Sequence, residues 1–141
     1  MLWSNVLNGG TKSRRGFHIM NQITPDAYFV VQQIKRFWPH LFHIEFARNL
    51  KEIFPEPDNV GLKHIWKYGE ADIVVCRKGK IIAIFEPGGF QHIFDKKQAK
   101  NDRRKWKLCE INGVSCCHIM NGVLAQCSNR KQRSLLGKFL F

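Results

Sequence analysis

The sequence has 141 residues, 44% of them hydrophobic, and its 23 Lys and Arg against 11 Asp and Glu give a formal net charge of +12. This length allows one domain with a substantial core and excludes two domains of ordinary size. The positive balance attracts polyanions, so nucleic acid is the first candidate partner, with a ribosome- or membrane-associated basic protein as the alternative. No apolar stretch approaches the roughly 20 residues that a membrane span needs, so we expect no membrane partner.

Residues 1–23 precede the first predicted element and contain no acidic residue, whereas Lys12, Arg14 and Arg15 are basic. We treat them as a basic N-terminal arm, separate from a domain predicted over residues 24–141. Three interpretations of the arm stay open: a segment that lies along a phosphate backbone, a mitochondrial targeting peptide, and a disordered terminus.

The first half of the domain contains one clear helix. It is predicted over residues 24–38, because a capping threonine and a proline at the first helical position precede apolar side chains at helical spacing, and Pro39 ends the pattern. Alternating apolar positions predict a strand over residues 42–47, and the prolines and acids of residues 55–59 predict a loop. Residues 60–69 lack a clear period, and we predict an irregular segment there, with at most one short strand.

The centre of the sequence predicts a β-hairpin. Two runs of β-prone apolar residues, 71–76 and 81–86, flank the turn Arg-Lys-Gly-Lys, which places Gly79 at the left-handed position. Because both runs are almost continuously apolar, we expect the hairpin to be buried on both faces, with helices outside it.

The second half predicts a charged helix, a strand and a final helix. The charged helix covers residues 95–111 and is closed by Gly113, the strand covers residues 114–120, and the basic final helix covers residues 129–140. The order helix, strand, hairpin, helix, strand, helix is typical of an α/β fold. We therefore predict a single domain with a mixed central β-sheet flanked by helices.

The five cysteines form no recognisable metal or disulfide pattern. Their number is odd and no Cys-x-x-Cys pair occurs, which argues against a zinc motif and against a disulfide framework. We interpret all five as reduced thiols in a cytoplasmic compartment, in a protein of cellular, viral or phage origin. They are Cys76, Cys109, Cys116, Cys117 and Cys127.

Two acids occupy neighbouring ends of the predicted hairpin. Asp72 opens the first strand and Glu86 is the last residue of the second, so the two carboxylates should lie side by side at one end of the sheet. Carboxylates this close repel each other unless a cation joins them, and Mg²⁺, or Mn²⁺ in its place, suits such ligands. The alternative is that both acids are ordinary solvated strand ends.

A histidine and a third acid follow the pair. His92 comes six residues after Glu86, beyond a pair of glycines that allow a sharp turn, and it could act as the general base on a metal-bound water. Asp102 is the one acid between Lys96 and Lys107, and we predict that it orients His92. The basic residues around Asp102 would hold phosphates of a nucleic acid, and they are Lys96, Lys97, Arg103, Arg104 and Lys105.

These motifs resemble a known superfamily. Asp72, the run Phe-Glu-Pro-Gly-Gly-Phe-Gln-His at 85–92 and the run Asn-Asp-Arg-Arg-Lys at 101–105, followed by a strand after Ile-Asn-Gly-Val, are similar to the PD-(D/E)XK restriction-endonuclease-like superfamily. Within it, the likeness is to the very-short-patch repair (Vsr-like) endonucleases and to homing endonucleases of the EDxHD type. It covers residues 71–120 well and residues 24–46 loosely.

The resemblance implies a restriction-endonuclease-like fold and Mg²⁺-dependent hydrolysis of phosphodiester bonds in double-stranded DNA. It implies Asp72 and Glu86 as metal ligands, with His92 and Asp102 completing the catalytic set. A chain this short that cuts both strands would be expected to act as a homodimer. Members of the common type carry a lysine two residues after the glutamate, where this chain has Gly88.

Two other functions stay open at this stage. One is an inactive nucleic-acid-binding or structural subunit, which would have the nuclease fold without the hydrolytic activity. The missing lysine at position 88 favours this alternative. The other is an RNA-binding protein of a basic assembly, whose four Trp and eleven Phe would stack on bases. Most of these aromatic residues fall at core spacing, and no RNA-recognition signature is present.

Overall fold

The computed structural model describes residues 25–88 and 96–141. The basic arm of residues 1–23, the capping Thr24 and the segment 89–95 with His92 lie outside the described residues, so the expectations placed on them stay predictions.

Within the described residues, helices and strands alternate in the predicted order, with three short helices added. The helices are α1 (Pro25–Phe37), α2 (Leu50–Ile53), α3 (Lys63–Tyr68, preceded by a 3-10 turn at Val60–Leu62), α4 (Lys96–Ile111), α5 (Asn121–Gln126) and α6 (Asn129–Leu140). The strands are β1 (His43–Asn49), β2 (Glu70–Arg77), β3 (Lys80–Gly88) and β4 (Ser115–Met120).

The four strands form one mixed sheet in the order β1-β2-β3-β4. β2 is antiparallel to both β1 and β3, and β4 runs parallel to β3 after a crossover that contains α4. The prediction of a mixed central sheet flanked by helices is therefore confirmed. A parallel pair needs such a crossover connection, which is why the charged helix stands between the last two strands.

The sheet is covered on both faces. On one face, Ile73 and Phe85 pack under α1, α5 and α6; on the other, Val74 and Ile84 pack under α2, α3 and α4. All four of these side chains are fully buried, which confirms the prediction that both faces of the hairpin are buried. Alternate residues along one strand enter different cores, because successive side chains of a strand point to opposite faces.

The hairpin turn has the predicted geometry. Arg77 and Lys80 pair in register, and the two residues between them, Lys78 and Gly79, have φ values of 53° and 77°. Two successive left-handed residues match the right-handed twist of the flanking strands, and glycine at the second position adopts this conformation without steric cost.

Residues 60–69 differ from the prediction of an irregular segment with at most one short strand. They form the 3-10 turn and α3, in which Leu62 and Ile65 are buried against the α4 side of the sheet. The indole nitrogen of Trp66 also donates a hydrogen bond of 2.9 Å to the carbonyl of Phe54. Two apolar anchors and one hydrogen bond come from the surroundings, so tertiary packing overrides the weak local period.

The ends of the hairpin strands also differ from the prediction. β2 begins at Glu70, two residues before Asp72, and β3 continues past Glu86 to Gly88. The longer β3 follows from its parallel partner, since Pro87 and Gly88 pair with residues of β4. The two acids therefore lie inside the strands, near their ends, rather than at their termini.

All five cysteines are free thiols, as predicted. Among residues 25–88 and 96–141, no helix combines the length and the apolar character that crossing a membrane requires.

Candidate functional site

A row of three ionisable residues crosses the end of the sheet beneath α4. Ile73 and Phe85 pair in register and both belong to the core on the α1 side. Their neighbours Asp72 and Glu86 must point to the opposite face, because side chains alternate along each strand. Glu86 pairs in turn with His118 of β4. The row Asp72, Glu86, His118 thus places one side chain from each of three adjacent strands side by side.

Asp72 and Glu86 are brought together as the sequence predicts. Besides burial and Lys105, the charge of Asp72 and a side-chain hydrogen bond with it act on the pKa of Glu86, so the two carboxyl groups lie within reach of each other. Glu86 is only 5% exposed, whereas Asp72 is exposed to solvent. Burial raises the pKa of Glu86 well above its ordinary value of 4.5, Lys105 partly offsets this effect, and the negative charge of Asp72 adds to it. A buried carboxylate with a second carboxylate beside it is a position that favours a bound cation or a proton.

A cation is supplied by the helix above the pair. Nζ of Lys105 lies 2.8 Å from Oε1 of Glu86 and also donates a hydrogen bond of 2.7 Å to the carbonyl of Glu70. Burial alone would lower the pKa of Lys105, but the charge and hydrogen bond of Glu86, together with Asp72 and Asp102, raise it overall. The lysine therefore stays charged and fixes the orientation of the Glu86 carboxylate.

Lys105 was predicted to face phosphates at the surface, but its side chain points inward. The spacing of residues on α4 explains why. Asp102, Lys105, Leu108 and Cys109 recur at intervals of three or four residues, so they share one face of the helix. Leu108 and Cys109 belong to the core on this side of the sheet. Lys105 is consequently drawn inward, and its side chain is only 13% exposed.

A second polar pair adjoins the first. Oδ2 of Asp102 lies 3.3 Å from Nε2 of His118, and both side chains are largely buried. The ring of Trp106 packs edge-on against His118 with centroids 5.6 Å apart, and Trp106 remains 44% exposed. Asp102, predicted to orient His92, thus meets a different histidine in the described residues, and the prediction for His92 is untested.

The backbone opposite Asp72 is strained. Ala47 lies between the register pairs Phe46–Ile73 and Arg48–Ala71, which places it across from Asp72, and its φ is 52°. A left-handed conformation costs a non-glycine residue about 1–2 kcal/mol. Strain of this kind is often found beside functional groups, where neighbouring structure holds it in place.

The other predicted phosphate-binding residues lie on α4. Lys96, Lys97 and Arg103 are exposed, and Arg104 is half-buried. The basic residues of α6 lie across the sheet from α4, because α6 packs on the α1 side. A duplex that contacts α4 therefore meets a different layer of the molecule from one that contacts α6.

The ligands that the site offers determine which metal ion it suits. Among the residues described, no group of three or more His, Cys, Asp or Glu side chains is placed to hold a metal ion. Mg²⁺ is commonly bound by one or two carboxylates with water and substrate phosphate, so Asp72 and Glu86 fit that ion.

Two features of the site were missed at the level of sequence. The inward position of Lys105 could have been found from its spacing of three residues before Leu108 and three after Asp102. The position of His118 beside Glu86 depends on the parallel pairing of β3 with β4, for which the sequence carries no local signal.

Comparison with protein-family models, with curated proteins and with solved structures finds no match to this chain.

Proposed function

We propose that this protein is a metal-dependent DNA endonuclease of the PD-(D/E)XK restriction-endonuclease-like superfamily, of the Vsr-like or homing type. The observation that carries the proposal is the contact of Asp72 with buried Glu86, whose Oε1 lies 2.8 Å from Nζ of Lys105. Two acids that can hold a divalent ion, with the ammonium of Lys105 beside one of them, are groups that metal-dependent phosphodiester hydrolysis can use. The mixed sheet flanked by helices is compatible with the implied fold.

Lys105 can supply the positive charge that a lysine at position 88 would otherwise supply. Its ammonium reaches the same glutamate from α4, 19 residues along the chain, instead of from β3 itself. A charged amine at this place favours the deprotonated form of Glu86, partly offsetting the effect of burial on its pKa, and would stabilise negative charge that develops on a phosphate nearby. The departure from the common sequence pattern therefore does not remove the positive group from the site.

Asp72 and Glu86 would hold the metal ion, which would offset charge on the scissile phosphate and lower the pKa of a water molecule. The residues around them prepare the place: Lys105 orients Glu86, and the strands fix the two carboxylates side by side. For the proton of the attacking water there are two candidate histidines. His92 is the one predicted from sequence, and His118 is the one that lies beside Glu86, with Asp102 3.3 Å away.

The same geometry leaves a second candidate function. Lys105 already neutralises Glu86, and within the described residues no third metal-ligating side chain joins the pair. A buried ion pair of this kind can persist as a structural element after catalysis is lost. The second candidate is therefore an inactive nuclease-fold subunit that binds nucleic acid through its basic surface.

Cleavage of supercoiled plasmid separates the two candidates. The wild-type protein is incubated with Mg²⁺, with Mn²⁺ and with EDTA, beside Asp72→Asn, His92→Ala and Lys105→Met. An active nuclease nicks or linearises the plasmid only with a divalent ion, and Asp72→Asn and Lys105→Met each slow cleavage by about 100-fold or more. Linear product without accumulated nicked circles indicates that both strands are cut in one encounter, as expected of a homodimer.

Lys107→Met is the matched control, because Lys107 lies on the same helix and its side chain is 56% exposed. It should cut at nearly the wild-type rate. DNA binding by all variants with no cleavage under either metal ion contradicts the nuclease proposal and favours the binding subunit.

A further inference from the structure

The short helix α3 presents basic and aromatic side chains to solvent beside the candidate site. Tyr68 is 67% exposed, and Lys63, His64 and Lys67 are exposed as well. We call these four residues the Tyr68 platform. The only acid within ion-pair distance of them in the described residues is Glu56, 4.0 Å from Nζ of Lys63, and both of those side chains are about half exposed. The platform therefore keeps most of its positive charge toward solvent.

The side chains of the platform lie against one another. The rings of His64 and Tyr68 are 4.9 Å apart between centroids, and Nζ of Lys67 lies 5.4 Å from the centre of the Tyr68 ring. Residues four apart on a helix are neighbours, so the sequence spacing of His64 and Tyr68 places them together. An exposed tyrosine with a histidine and a lysine at its ring combines a stacking surface with a positive charge.

The platform is held rigidly. Ile65 of the same helix is buried, and the amide of Gly69 donates a hydrogen bond of 2.7 Å to its carbonyl. The carbonyl of Gly69 accepts a hydrogen bond of 3.0 Å from Leu50. An added Cβ on Gly69 would meet the Ile65 carbonyl at 2.4 Å, so the chain leaves the helix by a path that only glycine allows. A fixed surface loses little entropy when a ligand binds it.

The platform also lies close to the acids. Tyr68 is followed by Gly69 and then by Glu70, whose carbonyl accepts the hydrogen bond from Lys105. Tyr68 and Asp72 are four positions apart in the chain, so their Cα atoms are at most about 14 Å apart. One strand of B-form DNA advances 3.4 Å per nucleotide, so this span corresponds to at most about four nucleotides.

We propose that the Tyr68 platform binds an unpaired stretch of DNA that flanks the cleavage position, with a base stacked on Tyr68 and phosphates held by Lys63 and Lys67. The inference rests on the proposed function for the identity of the ligand as DNA. An unpaired strand exposes its base faces to a ring on the protein surface without any unstacking of a duplex, and stacking of this kind is tolerant of sequence. A duplex would engage the two lysines but not the tyrosine.

Binding in EDTA tests the inference without cleavage. Fluorescence anisotropy follows a labelled single strand of about 16 nucleotides and the duplex of the same sequence. The wild-type protein should bind the single strand, and Tyr68→Ala should weaken that binding by about 5- to 100-fold while changing duplex binding much less. Tyr68→Phe, which keeps the ring, should bind as the wild type does.

The chain offers one matched control, since Tyr28 and Tyr68 are its two tyrosines. Tyr28 lies on α1 and is 39% exposed, and Tyr28→Ala should leave single-strand binding unchanged. Circular dichroism establishes that each variant is folded. Equal loss for the single strand and the duplex in Tyr68→Ala, no loss in either, or no binding of the single strand by the wild type each overturns the inference.

The outcome is distinguishable from that of the cleavage assay. If the protein cuts plasmid but Tyr68→Ala has no effect on binding, the proposed function stands and the inference about the Tyr68 platform is wrong. If the protein never cuts but binds single strands through Tyr68, the inference about the Tyr68 platform stands and the nuclease proposal is wrong.

Discussion

Replacing Lys105 by methionine should destabilise the protein in a way that depends on pH. The substitution keeps most of the side-chain volume and removes the charge that neutralises Glu86. Because Glu86 is 6% exposed in its side chain and Lys105 is 13% exposed, the carboxylate is left with neither its cation nor enough water. Breaking one partner of a buried ion pair costs about 3–5 kcal/mol.

The loss of stability in Lys105→Met is limited, because Glu86 can take up a proton instead of staying charged and buried. Burial already raises its pKa above 4.5 in the folded protein, and loss of Lys105 raises the pKa further, since Lys105 is the group that lowers it. A group whose pKa is raised on folding binds its proton more tightly when folded, so its contribution to stability falls as the pH rises from its ordinary pKa toward the folded one. In the variant, the free-energy cost of Glu86 grows by about 1.4 kcal/mol per pH unit between its ordinary and its folded pKa, so up to pH 8 it cannot exceed about 5 kcal/mol. The wild type carries part of the same cost, because its Glu86 pKa is raised as well, so the difference between the two proteins is smaller.

Urea denaturation in EDTA at about pH 5 and about pH 8 measures both the size and the sign. At the higher pH we expect Lys105→Met to unfold with a free energy about 3 kcal/mol below that of the wild type, which lowers the midpoint by about 1–2 M urea. At the lower pH the gap should narrow, because Glu86 is then closer to being protonated in both folded and unfolded chains.

Lys107→Met is the control for this measurement as well. Its ion pair with Glu110 is 3.7 Å long and its side chains are 56% and 73% exposed, so its loss should cost under about 1 kcal/mol at either pH. Equal losses in the two variants, or a Lys105→Met gap that does not widen with pH, would refute the assignment of Lys105 to a buried pair with Glu86.

Three further outcomes follow from the site and its surroundings. Mg²⁺ at a hundredfold excess over its dissociation constant should stabilise the wild type by about 2.7 kcal/mol in a thermal melt, and an equal shift in Asp72→Asn would place the ion elsewhere. Gly69→Ala should lose about 2–4 kcal/mol in urea, because its Cβ would lie 2.4 Å from a backbone oxygen, whereas Gly137→Ala, with no atom nearer than 3.9 Å, should gain about 0.5–1 kcal/mol. Ala47→Gly should gain about 1 kcal/mol by relieving a φ of 52°, and a loss of stability would contradict the strained backbone.

The parts of the fold that could be predicted are those determined by local sequence patterns. The hairpin follows from two apolar runs and a turn containing Gly79, and α6 covers the predicted residues, from Asn129, after the capping Ser128, to Leu140. The contact of Asp72 with Glu86 follows only in part from the same hairpin. The register of the two-residue turn would place Asp72 opposite Phe85, and a register shift between Val75 and Cys76 moves the pairing by one residue, so that Asp72 lies beside Glu86.

The parts that could not be predicted depend on how distant segments pack. α3 is helical because Ile65 and Leu62 are buried under the sheet, and nothing in its own spacing requires that. His118 meets Asp102 only because β4 pairs in parallel with β3 and α4 crosses above them. Lys105 is the intermediate case, since helical spacing indicates its inward face but gives no information on which acid it meets.

The central hairpin, buried on both faces, has a consequence for the order in which the molecule opens. Backbone amides that are hydrogen-bonded between two cores exchange with solvent only through the largest unfolding events, so those of β2 and β3 should be the slowest to take up deuterium. β2 and β3 are joined by a two-residue turn, and such local contacts favour early formation of the hairpin during folding. Asp72 and Glu86 are thus carried by the segment that opens last, so the two acids stay in place during smaller opening events elsewhere in the molecule.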